Sequence, residues 1–90
     1  ARLNSGDVDG AVAAYREAIR LNPTYPLAHF NLGAVLHQRG NREGAIAAYR
    51  EAIRLDPTFA PPHHNLGSAR LDGGDVDGAV AAYREAVRLD

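Results

Sequence analysis

Four histidines, two serines and regularly recurring asparagines, aspartates and arginines are the side chains of this 90-residue protein that could do chemistry. His29 and His37 stand two helical turns apart, and His63 and His64 are adjacent and point in different directions. Neither spacing is the i, i+4 pair that holds one zinc ion on a helix, and a metal site needs three or four converging ligands. The histidines are therefore expected to be structural or to line a surface, with no metal and no other cofactor. Ser68 lies one turn from His64, but no third group orients that histidine and no oxyanion donors are evident, so the chain is read as no enzyme. Gly-Asp-Val-Asp-Gly, at Gly6 and again at Gly74, imitates the opening of a calcium loop. The imitation stops there, because a third oxygen ligand is missing and Ala18 and Ala86 stand where the closing glutamate belongs. Asp7 and Asp75 are expected to cap helices instead.

Charge narrows the partners. Ten basic residues, all arginine, face eleven acidic ones, for a formal net charge of -1. That balance offers no broad attraction to nucleic acid or to an anionic membrane, and neither is an expected partner. One alternative survives: Arg16, Arg20, Arg50, Arg54, Arg84 and Arg88 recur as a stripe that could collect phosphates on a convex face. Glu17, Glu51 and Glu85, each three residues before an arginine, would pair with and partly neutralise it. The absence of cysteine excludes disulfides and thiolate chemistry. No run is long enough to be a transmembrane helix and the amino end has no signal pattern, so the chain reads as soluble, with the cytoplasm the favoured compartment. Beginning with Ala1, it reads as a piece of a longer protein.

A repeat must position these residues. Ala-Ala-Tyr-Arg-Glu-Ala occurs at Ala13, Ala47 and Ala81, and Asn-Leu-Gly at Asn31 and Asn65, each time 34 residues on. A period of this length with helical composition predicts an all-α array of stacked hairpins, each burying its apolar face against its neighbours. Pro26 to Arg39 is one predicted helix, with Leu32, Val35 and Leu36 on its apolar side, and Gly40 ends it. Asn41 caps a second helix that runs to Asp56-Pro57. Pro61 to Asp72, a Gly73-Gly74 break, and Val76 to Leu89 behind Asp75 repeat the plan. In front, Asp7 to Leu21 is a second-type helix after a stub, Ala1 to Ser5. The chain is thus one segment with a partial repeat at 1–25, a full repeat at 26–59 and a nearly full one at 60–90. Residues 1–22 and 69–90 differ at only four positions, which suggests growth of the parent in double-hairpin steps.

The pattern resembles the tetratricopeptide repeat family, W-x2-L-G-x2-Y, A-x3-F, then P. The middle repeat matches with His29, Leu32, Gly33, Leu36, Ala45, Tyr49 and Pro57, and the last with His63, Leu66, Gly67, Arg70, Ala79 and Tyr83. The resemblance implies hairpins stacked as a right-handed superhelix, an α-α solenoid, whose small residues Gly33, Ala45 and Ala52 let helices approach closely. Three departures stand out. Histidine replaces the pattern's Trp; Arg70, like Arg2, falls where Leu36 or an aromatic is expected and must carry its head to water or a carboxylate; and Gly10, Gly44 and Gly78 occupy the first turn of each second helix, each costing roughly 1 kcal/mol against Ala.

By the same resemblance the first helices line a concave groove that takes a protein or peptide ligand. The row is Leu27, Phe30, Asn31, Ala34, His37 and Gln38, continued by Pro61, His64, Asn65, Ser68, Leu71 and Asp72, with Leu3 and Asn4 beginning it in the stub. His-x-Asn-Leu-Gly is similar to the repeats of O-linked N-acetylglucosamine transferases, where an asparagine ladder holds extended chains. Asn31 and Asn65 take that role by resemblance, since an amide both donates to and accepts from a peptide backbone. The plainer account is that asparagine is simply a common polar residue on an exposed helix. The row has no Lys or Arg, so a clamp for a terminal carboxylate is not expected. The last helix, with Val80 and Val87, lacks a successor, and the first, with Ala11, Tyr15 and Ala18, lacks most of its partner. End-to-end association into a homo-oligomer follows as an expectation.

Overall fold

Glycine and proline punctuate five α-helices in the computed structural model, which describes residues 5–90. They are α1 (Ser5–Leu21), α2 (Pro26–Gln38), α3 (Arg42–Leu55), α4 (Ala60–Asp72) and α5 (Val76–Leu89). No strand occurs among the described residues. α2 with α3 and α4 with α5 form successive antiparallel hairpins, and α1 packs on α2 as the second-type helix of the repeat before. The stub residues Arg2, Leu3 and Asn4 lie outside the described part of the chain.

Each hairpin turns on one glycine. Gly40 and Gly74 take φ of 92° and 86°, the left-handed region that a side chain disfavours. That geometry lets Asn41 N–H reach back to the Leu36 carbonyl at 2.8 Å and Gly40 N–H to His37 at 3.0 Å, closing the carbonyl end of α2. Asp75 and Gly74 repeat both bonds onto Arg70 and Leu71, at 2.9 and 3.0 Å. The next helix then starts at once, because Asn41 Oδ1 accepts from Gly44 N–H at 3.0 Å and Asp75 Oδ1 from Gly78 N–H at 2.9 Å.

Three boundaries differ from the sequence expectation. α2 stops at Gln38 with Arg39 as its C-cap, and α4 starts one residue earlier, at Ala60. α1 runs upstream through Gly6, so Asp7 is no cap but an acidic residue of the first turn, where the positive end of the helix dipole favours it. The turn that makes Asn41 and Asp75 caps requires a left-handed glycine, and Gly6 is helical.

The packing has no single centre. A continuous apolar seam runs from Val8 and Val12 of α1 through Leu32 and Leu36 of α2 and Ala45 and Tyr49 of α3 to Leu66 and Ala82 of the last hairpin. Within the hairpins, Tyr49 lies over Gly33 and Tyr83 over Gly67, where side chains would leave no room for the rings. Between hairpins, α2 and α4 meet directly while α1, α3 and α5 do not approach one another. The first-type helices are therefore the inner wall, and the second-type helices splay apart on the outside.

Candidate functional site

On the inner wall, α2, α3 and α4 border an open depression of ≈ 310 Å³, lined by Ala34, His37, Gln38, Tyr49 and Asn65. Four of these belong to the expected groove row, and the structure brings them together across α2 and α4. Asn65 Nδ2 donates a long bond to the Tyr49 hydroxyl at 3.4 Å. His37 Nε2 donates to Asp72 Oδ2 at 2.7 Å, tying one further groove residue in across the repeat boundary. Asn31 is half-buried, and its amide bonds no other described residue.

The rest of the row is dispersed. Phe30 turns into an aromatic cluster, with ring centres 6.0 Å from Tyr49 and 5.8 Å from Phe59. Leu27 and Leu71 are exposed. Pro61 and His64 line a separate open depression of ≈ 380 Å³ with Ala60, Tyr83, Ala86, Val87 and Asp90. There the His64 ring packs on Tyr83 at 5.4 Å, and Ser68 Oγ shares a hydrogen bond with the Tyr83 hydroxyl at 2.9 Å. Ser68 is thus engaged with a phenol and not with His64, an arrangement that activates no nucleophile. Among the described residues no group of three or more metal-binding side chains converges.

Tyr49 and Tyr83 touch groove residues, which helical spacing within one helix does not reveal. Both belong to second-type helices, yet their hydroxyls reach Asn65 and Ser68 of the first-type helix α4, Tyr49 doing so from a fully buried position. The signal was present: the family pattern has Phe in this slot, and the chain has Tyr each time, at Tyr15, Tyr49 and Tyr83. The two hydroxyls choose different partners for a simple reason. Position 68 is serine and satisfies Tyr83 within its own hairpin, whereas the corresponding Ala34 has nothing to offer Tyr49, which reaches Asn65 in the next repeat. Burial pushes the Tyr49 phenol above its ordinary range, partly offset by the bond from Asn65.

His29 and His63 are structural. Both are buried, and each donates from Nε2 to the carbonyl of the proline opening the inter-repeat turn, Pro23 at 2.9 Å and Pro57 at 3.0 Å. On the outer face Glu17–Arg20, Glu51–Arg54 and Glu85–Arg88 are ion pairs, and each arginine holds its carboxylate below the usual range. Arg70 has a backbone partner in α5. It is half-buried, has no carboxylate partner among the described residues, and donates from Nη1 to the Gly78 carbonyl at 3.4 Å.

These repeats place the chain in the tetratricopeptide repeat family. TPR repeat models match residues 1–40 and 35–72, and a tetratricopeptide repeat model matches residues 60–90. The fold is similar to two crystal structures of MamA, one at 32% identity and TM-score 0.88 over 91% of this chain, the other at 31% and 0.86 over 92%. A third MamA structure aligns at 25% identity with TM-score 0.85 over 92% of the chain. The chain spans about half of each, 48%, 45% and 49% of their lengths. No curated protein matches the sequence. Among the described residues no helix is long and apolar enough to cross a membrane.

Proposed function

We propose that the chain is a non-catalytic protein interaction scaffold that seats an extended peptide on its inner wall, with Asn31 and Asn65 bonding the peptide backbone. The depression between α2 and α4 carries this reading, because it gathers the two amides of Gln38 and Asn65, an imidazole and a phenol against the small side chain of Ala34. Such a set offers donors and acceptors without net charge, which suits main-chain recognition better than capture of a charged terminus. Asn31 bonds no other described residue, which leaves its amide open to a ligand. Asn65 has lent one N–H to Tyr49 in a bond long enough to be exchanged for a ligand. A peptide array probed with the chain and with Asn31→Ala/Asn65→Ala tests it. Binding of several unrelated sequences, weakened at least about tenfold by the double substitution, is expected; unchanged binding overturns the ladder.

The same scaffold is proposed to associate with a second copy through α5. Val80 and Val87 correspond to Ile46 and Ile53, which in α3 pack against the apolar seam, yet on α5 they are exposed, as is Val76. In a longer array the next first-type helix would lie on this face. Sedimentation of the chain across a concentration series, beside Val80→Glu/Val87→Glu, distinguishes a self-associating species from a monomer; a wild-type chain that stays monomeric at millimolar concentration removes the idea.

A further inference from the structure

The splayed outer helices leave two clefts, each floored by a first-type helix. One lies between α1 and α3 and includes Arg16, Arg20, His29, Leu36 and Glu51. The other lies between α3 and α5 and includes Arg50, Arg54, His63, Arg70 and Glu85. They are related by the repeat, with one exchange of consequence: Leu36 in the first is Arg70 in the second. We propose that the α3–α5 cleft binds an oxyanion carried on a side chain of a partner protein, held between the guanidiniums of Arg50 and Arg70. This site is separate from the inner-wall groove.

Two of the three guanidiniums lining this cleft are unanswered. Arg54 is engaged by Glu51, with bonds of 2.7 and 2.6 Å, and Glu85 is engaged by Arg88. Arg50 and Arg70 have no carboxylate partner among the described residues. Arg70 is half-buried and makes one long bond to a carbonyl, leaving most of a guanidinium's donors unused beside Ile53, Leu66 and Ala82. Apolar walls lower the local dielectric, so an oxyanion there is attracted more strongly than at an open surface. The flanking acids decide the ligand class. A nucleic-acid backbone would have to run past Glu51 and Glu85, whereas a single carboxylate or phosphate on a peptide enters between them. The volume of ≈ 370 Å³ accommodates such a group.

NMR of the 15N-labelled chain provides the test. Three short peptides of one sequence, carrying glutamate, phosphoserine or serine at the central position, are titrated in, and a single-stranded oligodeoxynucleotide is titrated separately. Saturable shifts of the Arg50 and Arg70 Nε–Hε signals and of the Ala81 and Ala82 amides are expected with the glutamate or phosphoserine peptide and not with serine. The tighter of the two names the natural source of the oxyanion. Arg70→Leu reproduces what the first cleft already contains at Leu36, so it should fold with unchanged helical signal and weaken binding about tenfold. Arg50→Gln, at an exposed position, should do the same. The assignment is overturned by equal affinity in both variants and the parent, by no saturable shift with either anionic peptide, or by tighter binding of the oligonucleotide with shifts spread over Arg16 and Arg84.

Discussion

Tyr49 lies across Gly33 so closely that a methyl group on the glycine would stand 2.6 Å from the ring edge and 3.2 Å from the Ala45 carbonyl. The two residues come from opposite helices of one hairpin, and their contact sets how near α2 and α3 can lie. It also directs the Tyr49 hydroxyl toward Asn65, so the packing of the hairpin and the shape of the candidate groove share one cause.

Gly33→Ala should therefore destabilise the chain by about 1–3 kcal/mol, the usual range for overpacking a tight interior. Gly67→Ala should cost less, since its methyl would meet Tyr83 at 2.9 Å and that ring is only half-buried and freer to shift. Urea denaturation followed by circular dichroism gives the order; equal midpoints for the two variants would show that the interior of the first hairpin relaxes as readily as the last.

The three glycines near the starts of the second-type helices are not equivalent. Gly10 is inside α1, and a methyl group there would meet none of the described residues within 4 Å, so Gly10→Ala should stabilise by about 0.5–1 kcal/mol through helix propensity alone. At Gly44 the methyl would stand 2.6 Å from Asn41 Nδ2, and at Gly78 it would collide with the Asp75 carboxylate. Alanine there displaces a cap whose loss costs about 1 kcal/mol, cancelling the gain. Thermal unfolding of the three single variants should raise the melting temperature for Gly10→Ala only.

Tyr49 makes stability fall at alkaline pH. Its phenol titrates above the ordinary value when folded because burial opposes the phenolate. The folded state thus prefers the protonated form. This contribution is fully present below the unfolded pKa, about 10, and is lost as pH rises from there through the higher folded value. Tyr49→Phe should flatten the decline above about pH 10. Asn65→Ala, which removes the bond that lowers the value, should move the Tyr49 phenolate absorbance transition to still higher pH.

The array was legible because its signals are local. A repeated Ala-Ala-Tyr-Arg-Glu-Ala, a glycine before Asn41 and Asp75, and the Pro26 and Pro57 breaks each act within one turn of chain, and they locate the helices to within a residue or two. The inner wall was only half legible. Helical spacing puts Ala34, His37 and Gln38 on one face, but it cannot show that Tyr49 arrives from the neighbouring helix, because that depends on Gly33 letting the ring pass. The same spacing puts Phe30 in the groove row, but it does not reveal that its ring packs against Phe59, a residue of the following turn. Arg70 stood out as a misfit, yet its carbonyl partner on Gly78 lies on α5 and is set by the hairpin's tertiary fit.

The outer ion pairs repeat in every unit and should nevertheless contribute little. Each joins residues three apart on one helix, with the arginine exposed and the glutamate at least a third exposed, so ordering two long side chains offsets most of the attraction. Their carboxylates titrate below the ordinary range when folded, so whatever they add is present above the unfolded value near about pH 4.3 and is lost as pH falls through the folded one. Replacing Glu17, Glu51 and Glu85 together by Gln should leave the melting temperature at about pH 7 nearly unchanged and should shallow the decline between about pH 5 and 3. The same triple substitution frees Arg20, Arg54 and Arg88 and raises the net charge from -1 to about +2. A convex face without its glutamates should then acquire salt-dependent retention on a nucleic-acid column that the parent lacks. Retention of the parent itself at the same salt would mean that the pairs do not mask the stripe, and would return the outer face to consideration as a phosphate-binding surface.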